Sequence, residues 1–449
     1  MILNKAVLLK LIVICLIFVS FFLGYFLREN AVGGGNEFYD MEWPIIQSLK
    51  KDFLFTINNY GLMRDYTMPF MYIVQAYLNP FSNHVTNFQL FNTIISFIIV
   101  LILAIVLKRK FSHINFVDNL LIASVFLILP FFRTSAFWGK QENYGWLFLI
   151  IAFYFFSEIR KNISKKPSNT DILNVIFFCL TSACALYARQ ALFFLPISYL
   201  LYLFFNNANK KIIIISIISF AIFSIPGFLL MWTWGSVFHA VPGMEPHGSF
   251  LGGWINYNYI LKNLPILLSF FGFYLLPILM LEFLNSGLKD FFHRYFKSFL
   301  FALVILVFLS QTNLLNYLGD YTLGGGAILK INYLMQENNF FLLLVFSSIG
   351  FSILIRFFKE DTKNNLIILL PIIIIYSFPK LLYQEYAEPL ILIIFFLSLK
   401  TDLHKMYFKN ISLSHFIFIS YFAIYLMGSI YFKHFAFSSY EEWKIFLNP

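Results

Sequence analysis

The sequence predicts an all-α protein, a polytopic transmembrane helical bundle of about eleven to thirteen helices. Three observations predict it. Hydrophobic residues make up 60% of the chain and charged ones 12%, which is not the balance of a water-soluble domain. Apolar runs recur along all 449 residues, many approaching the roughly 20 residues needed to cross about 30 Å of hydrocarbon. Lys and Arg then fall in alternate loops, the mark of a chain threaded back and forth through a bilayer.

Each run reads as a helix because a backbone amide in hydrocarbon must be bonded within its own segment. Taken in order the runs are 6–27, 88–107, 115–132, 143–158, 172–188, 191–205, 212–232, 265–283, 298–311, 339–357, 365–379, 388–399 and 412–431. The first begins with Lys5 and Lys10 like a signal peptide, but its apolar run is long and lacks a small-residue cleavage site, so it reads as an uncleaved anchor. Cys15, Cys179 and Cys184 all fall in these runs and suggest neither a disulfide framework nor a metal site.

With the N-terminus placed in the cytoplasm, the inner segments carry a net charge of +12 and the outer ones −2, dividing the chain's +10. Lys108-Arg109-Lys110, Arg160 to Lys166, Lys210-Lys211 and Lys400 to Lys409 all land inside, as the retention of positive charge in cytoplasmic loops requires. The basic balance therefore reads as topology and contact with anionic membrane lipids, and no nucleic acid is expected as a partner. The expected location is the inner membrane of a bacterium or the endoplasmic reticulum membrane of a eukaryote.

The chain reads as a single transmembrane domain, 1–449, with no soluble C-terminal domain and long outer loops at 28–87, 233–264 and 312–338. In the first loop, Trp43, Ile46, Leu49 and Phe53 recur at helical spacing with Lys50, Lys51 and Asp52 between them. That pattern predicts an interfacial helix with its apolar face toward the membrane. Such a helix would hold the acidic cluster Glu37, Asp40 and Glu42 near the bilayer surface, with Asp65 following.

Those carboxylates are the first candidates for chemistry. Asp40 and Glu42 lie two apart just after the first run, where either could accept a proton from a sugar hydroxyl. A single base suffices when the leaving group is a stable anion such as a lipid phosphate, whereas glycosidases need a second carboxyl to protonate a poor alkoxide. Arg189 separates two apolar runs at the outer boundary, a costly place for a charge, and its guanidinium can hold a phosphate in bidentate fashion. Snorkelling to the interface is its bland alternative.

Trp234, His239, Glu245 and His247 sit in a Gly- and Pro-punctuated loop, where the two His and the Glu could be hydrogen-bond partners for a sugar or phosphate; as a metal site their spacing is weak evidence, and solvated polar groups of a surface loop are the bland alternative. Glu142 opens the fourth run, and Gln384, Glu385 and Glu388 lie at another outer boundary. The glycines at 33–35 and 324–326 follow no strand and form no phosphate-binding fingerprint.

An acidic motif directly after the first span, a later Asp and eleven to thirteen helices together resemble the GT-C superfamily of lipid-sugar-dependent glycosyltransferases. Asp40-Met41-Glu42-Trp43-Pro44 with Asp65-Tyr66-Thr67-Met68-Pro69-Phe70-Met71-Tyr72 is similar to the corresponding stretches of the α-1,2-glucosyltransferases that use dolichyl-phosphoglucose to complete the N-glycan precursor. Tyr187-Ala188-Arg189-Gln190 resembles that family's Arg-Gln motif, and Trp234-Gly235-Ser236 followed by His247 is similar in layout. The family's Asn after Arg-Gln-Thr is absent, and Gln384-Glu385-Tyr386 stands where it has Arg-Tyr.

The resemblance implies an inverting hexosyltransferase with no cofactor: a polyprenyl-phosphate sugar as donor, a hydroxyl of a lipid-linked or surface glycan as acceptor, and an active site on the outer or lumenal face. Asp40 would be the base, with Glu42 as the competing assignment. Asp65, Glu142, Arg189, Gln190, Trp234, His239 and His247 would bind substrate. A transporter or flippase for a polyprenyl-linked glycan, or a glycan polymerase or ligase, would use similar helices and the same face. A transporter would place its charges at mid-membrane, whereas here they gather at outer boundaries.

Overall fold

The computed structural model describes residues 5–63, 67–234, 257–310, 326–328, 331, 341–379 and 382–435, and among them all regular structure is helical. Eight of these helices are long and apolar enough to cross a membrane, or nine if one bent pair counts as a single span. The chain is thus consistent with a multi-pass integral membrane protein.

The chain divides into two compact units, one formed by residues 1–128 and 132–253 and the other by 129–131 and 254–449. The first unit opens with α1 (Lys5–Phe26). A short turn of helix, Gly35–Glu37, then runs into a π-helical turn, Phe38–Glu42. α2 (Trp43–Lys51), α3 (Phe53–Asn58) and α4 (Phe70–Leu78) follow, leading into α5 (Val85–Lys110). Next come α6 (Phe116–Ser124) and α7 (Pro130–Trp138), the first two residues of which belong to the second unit, then α8 (Glu142–Asn162), α9 (Asn169–Ala188), α10 (Phe194–Phe205) and α11 (Lys210–Trp234).

Among the described residues, fewer helices are long and apolar enough to cross a membrane than there are apolar runs, because several runs are short or broken. Run 115–132 divides: α6 continues through a 3-10 turn to Ile128, the chain bends by 72°, and α7 begins at Pro130. Proline lacks the amide that would carry the helix on. Run 191–205 opens on a 3-10 turn, Gln190–Phe193, leaving 12 residues of α10.

Two largely buried ion pairs tie segments of the first unit together. Lys10 Nζ lies 2.6 Å from Asp118, joining α1 to α6. Arg133 on α7 is 1% exposed, and its Nε and Nη2 donate to the two carboxylate oxygens of Glu29 at 2.8 and 2.5 Å. Nη2 also donates to the Ser20 carbonyl at 3.0 Å and Nη1 to that of Leu127 at 2.9 Å. Gly24 makes room for this pair, since a Cβ there would collide with the guanidinium.

In the second unit α12 (Tyr257–Ser286), α13 (Leu288–Ser310) and α14 (Phe341–Glu360) precede α15 (Thr362–Ser377). α15 has 16 residues, and the run 388–399 becomes a six-residue helix, α16 (Glu388–Ile393), ending in a π-helical turn. α17 (Leu403–Lys409) and α18 (Ile411–His434) complete the unit. α12 and α14 cross at Gly272 and Gly350, where a Cβ on either would strike the carbonyl of Phe346 or Leu268. Small residues at such a crossing let backbones approach where lipid gives no hydrophobic driving force.

Candidate functional site

The candidate site lies in the first unit and is built on the turn between α7 and α8. Gly139 turns the chain with φ +73°, a left-handed conformation that favours glycine, and a Cβ there would also press on Phe88 at 2.7 Å. Three consecutive side chains then reach three different segments. Lys140 Nζ pairs with Glu37 at 2.6 Å and with Glu142 at 3.6 Å. Gln141 Nε2 donates to Thr67 Oγ1 at 2.7 Å and to the Tyr72 hydroxyl at 3.3 Å. Glu142, in the first turn of α8, has Lys140 and Arg189 as positive neighbours.

Burial opposes the charge on Glu142, but the fields of Lys140 and Arg189 outweigh it and hold its carboxyl below the ordinary glutamate range. Arg189 is the C-cap of α9, in extended backbone, and only 7% exposed. Its guanidinium lies 4.9 Å from the Trp146 ring centroid, within cation–π range. Gly145 lets it approach, since a Cβ there would stand 3.1 Å from Arg189 Cβ. Arg189 is therefore seated inside the protein and does not simply snorkel. Gln190 begins the next 3-10 turn and is half-buried.

The acidic segment enters through Gly33 and Gly34, both at positive φ. Phe38 anchors it in a core with Ile45, Ile46, Leu49, Tyr60, Tyr72 and Phe88. Tyr39 meets Trp138, at the end of α7, with ring centroids 5.9 Å apart. Asp40 is exposed, whereas Glu42 is 5% exposed. Adjacent in sequence spacing, the two carboxylates diverge in space, because positions two apart on a helix face nearly opposite sides. Both lie in the π-helical turn, a distortion frequent at functional sites.

α2 forms as expected, but its Ile45, Ile46 and Leu49 are buried within the protein core and not turned outward. Phe53 is not on this helix: Asp52 ends α2 in extended backbone and caps α3 by accepting the Phe55 amide at 2.9 Å.

Trp234, at the end of α11, stacks on Tyr60 with centroids 5.8 Å apart and donates from Nε1 to the Ile57 carbonyl at 3.2 Å. Further back, the Tyr187 hydroxyl donates to the Phe223 carbonyl at 2.6 Å and accepts from the Gly227 amide at 3.2 Å. It bridges the i and i+4 backbone groups beside Pro226, where the helix is short of a donor. Asp65, His239, Glu245 and His247 lie outside the described residues.

Lys140, Gln141 and Trp146 carry no motif and were not legible in advance; the one available signal was a Lys beside a boundary Glu142. A further carboxylate is enclosed in the second unit. Glu388 is fully buried, accepting the Phe131 amide at 2.7 Å and the hydroxyls of Tyr274 and Tyr425 at 3.0 and 2.9 Å. Gln384 donates to Tyr425 at 2.8 Å. Among the described residues no group of three or more His, Cys, Asp or Glu is placed to hold a metal ion. No protein-family model, no curated protein and no solved structure matches the chain.

Proposed function

We propose that this protein is a membrane hexosyltransferase. It moves a hexose, with inversion, from a polyprenyl-phosphate carrier to a hydroxyl of a lipid-linked or surface glycan at the non-cytoplasmic face. The observation that carries this reading is the Lys140-Gln141-Glu142 turn. It joins the acidic segment through Glu37, the Thr67 stretch through Gln141 and the cationic corner at Arg189 through Glu142. These are the segments in which the sequence resembles a lipid-sugar-dependent glycosyltransferase.

In this mechanism Asp40, exposed on the π-helical turn, takes the proton of the acceptor hydroxyl as its oxygen attacks the anomeric carbon. The bond to the carrier breaks, and the polyprenyl phosphate departs as a stable anion. Arg189 faces that phosphate, with Trp146 and Glu142 fixing its guanidinium in place. The phosphate needs no protonation to leave, so one carboxylate base suffices and no cofactor is called for.

The purified protein in nanodiscs, offered a panel of polyprenyl-phosphate sugars with a glycan acceptor, should release free lipid phosphate in step with acceptor glycosylation. Sugar-lipid that crosses the bilayer intact, with no phosphate released, would replace this reading with a transporter. Arg189→Lys keeps the charge but loses the fork, and should weaken donor use by roughly 1.5 to 3 kcal/mol, the range for charged hydrogen bonds. An unchanged donor concentration dependence in that variant would remove Arg189 from the phosphate site.

A further inference from the structure

Between α1 and α5 the fold leaves a run of large apolar side chains uncovered among the described residues. α2 spends its apolar face on the protein core, but the chain then turns at Asp52 and presents Phe53, Leu54 and Phe55 at 40, 69 and 55% exposure. Tyr77, Leu78 and Phe81 stand beside them at 53, 75 and 41%. The rings of Phe53 and Tyr77 are 6.3 Å apart, and the Tyr77 hydroxyl donates to the Leu49 carbonyl at 2.6 Å. Six such side chains in one neighbourhood form an apolar patch of the kind that marks an interaction surface.

Its surroundings say what covers it. The patch continues into α5, a candidate span of 26 residues: Phe81 packs on Phe91 with centroids 5.9 Å apart, and Leu90, Ile94 and Ile98 follow as an exposed stripe at four-residue spacing. Leu78 and Phe91 also line, with Val74 and Ile95, a cavity of about 170 Å³ beside the patch. Lys50 and Lys51 close the last turn of α2 at its margin, and Lys50 Nζ is held by Ser82 Oγ at 3.0 Å and by Asn83. Aromatic and aliphatic side chains continuous with a span, bordered by Lys, have the composition of a headgroup-depth anchor.

We propose that Phe53, Leu54, Phe55, Tyr77, Leu78 and Phe81 form a ridge seated at the headgroup–acyl boundary of the adjoining leaflet, with Lys50 and Lys51 at the level of the lipid phosphates. The occupant of this surface is the lipid bilayer itself. The ridge and the acidic segment are pinned to one core, since Leu49 and Phe38 share it. The ridge thereby fixes the height of Glu37 to Glu42 above the membrane, whatever reaction that segment performs.

Nitroxide labels test this in full-length protein, with Cys15, Cys179 and Cys184 replaced by Ala, in nanodiscs of phosphatidylcholine and phosphatidylglycerol. Labels on Leu54→Cys and Leu78→Cys should be relaxed by oxygen and shielded from a water-soluble nickel chelate. Their oxygen-to-chelate ratio should be several-fold above that of Asp40→Cys and close to that of Ile94→Cys, which also reports that the protein is inserted. Chelate access at Leu54 equal to that at Asp40 would put the ridge in water and overturn the proposal. Exclusion of both reagents would show a protein partner instead, and would overturn it equally.

Discussion

If the protein is the hexosyltransferase proposed above, replacing Asp40 by Asn should lower transfer by about 10²- to 10⁴-fold, the range for losing a general base, while yield and donor binding stay near those of the parent protein. The asymmetry follows from its position. Asp40 is exposed, so exchanging its carboxylate for an amide disturbs little packing. Glu42 is 5% exposed, and Glu42→Gln should register first as a change in thermal stability. Single-turnover transfer and a melting curve on both variants separate the roles. Full turnover in Asp40→Asn with a dead, normally folded Glu42→Gln would exchange the assignments; activity in both would end the catalytic reading of this segment.

The largest effect on stability is expected at Arg133. Arg133→Met leaves the Glu29 carboxylate buried at 8% exposure with its two charge-assisted hydrogen bonds gone, and breaking a buried pair from one side costs about 3 to 5 kcal/mol. Denaturant unfolding in detergent should show this loss. Glu29→Gln combined with Arg133→Met should recover part of it, because no uncompensated charge then remains. A single variant as stable as the parent would mean that water or another group reaches Glu29.

Much of the architecture could be read from the sequence, because crossing hydrocarbon demands long apolar runs. The runs that became α1, α5, α9 and α11 are plain for that reason. What the sequence concealed is where a run breaks and what an apolar face touches. Pro130 sits inside an unbroken apolar stretch, and only the structure shows a 72° bend beside it. The amphipathic pattern of α2 predicts a helix correctly, yet periodicity cannot tell lipid from protein as the apolar partner. Here Ile45, Ile46 and Leu49 face protein.

The site was legible in its pieces and not in its assembly. A boundary Arg189, a leading Glu142 and a loop Asp40 each attract notice as charges in expensive or accessible places. The pairing of Lys140 with Glu37 spans 103 positions, and that of Gln141 with Thr67 spans 74. Neither separation leaves a trace in local spacing. Conversely, Asp40 and Glu42 look like a pair when written in a line, whereas helical rotation sends one outward and the other inward.

Because Lys140, Gln141 and Glu142 are contiguous, the turn that carries them tolerates substitution far better than it tolerates a change of length. A side-chain replacement disturbs one of the three attachments. Inserting a single residue between Gly139 and Lys140 would shift all three attachments out of register together. Relatives that diverge widely in loop sequence are therefore expected to keep the number of residues in this turn constant.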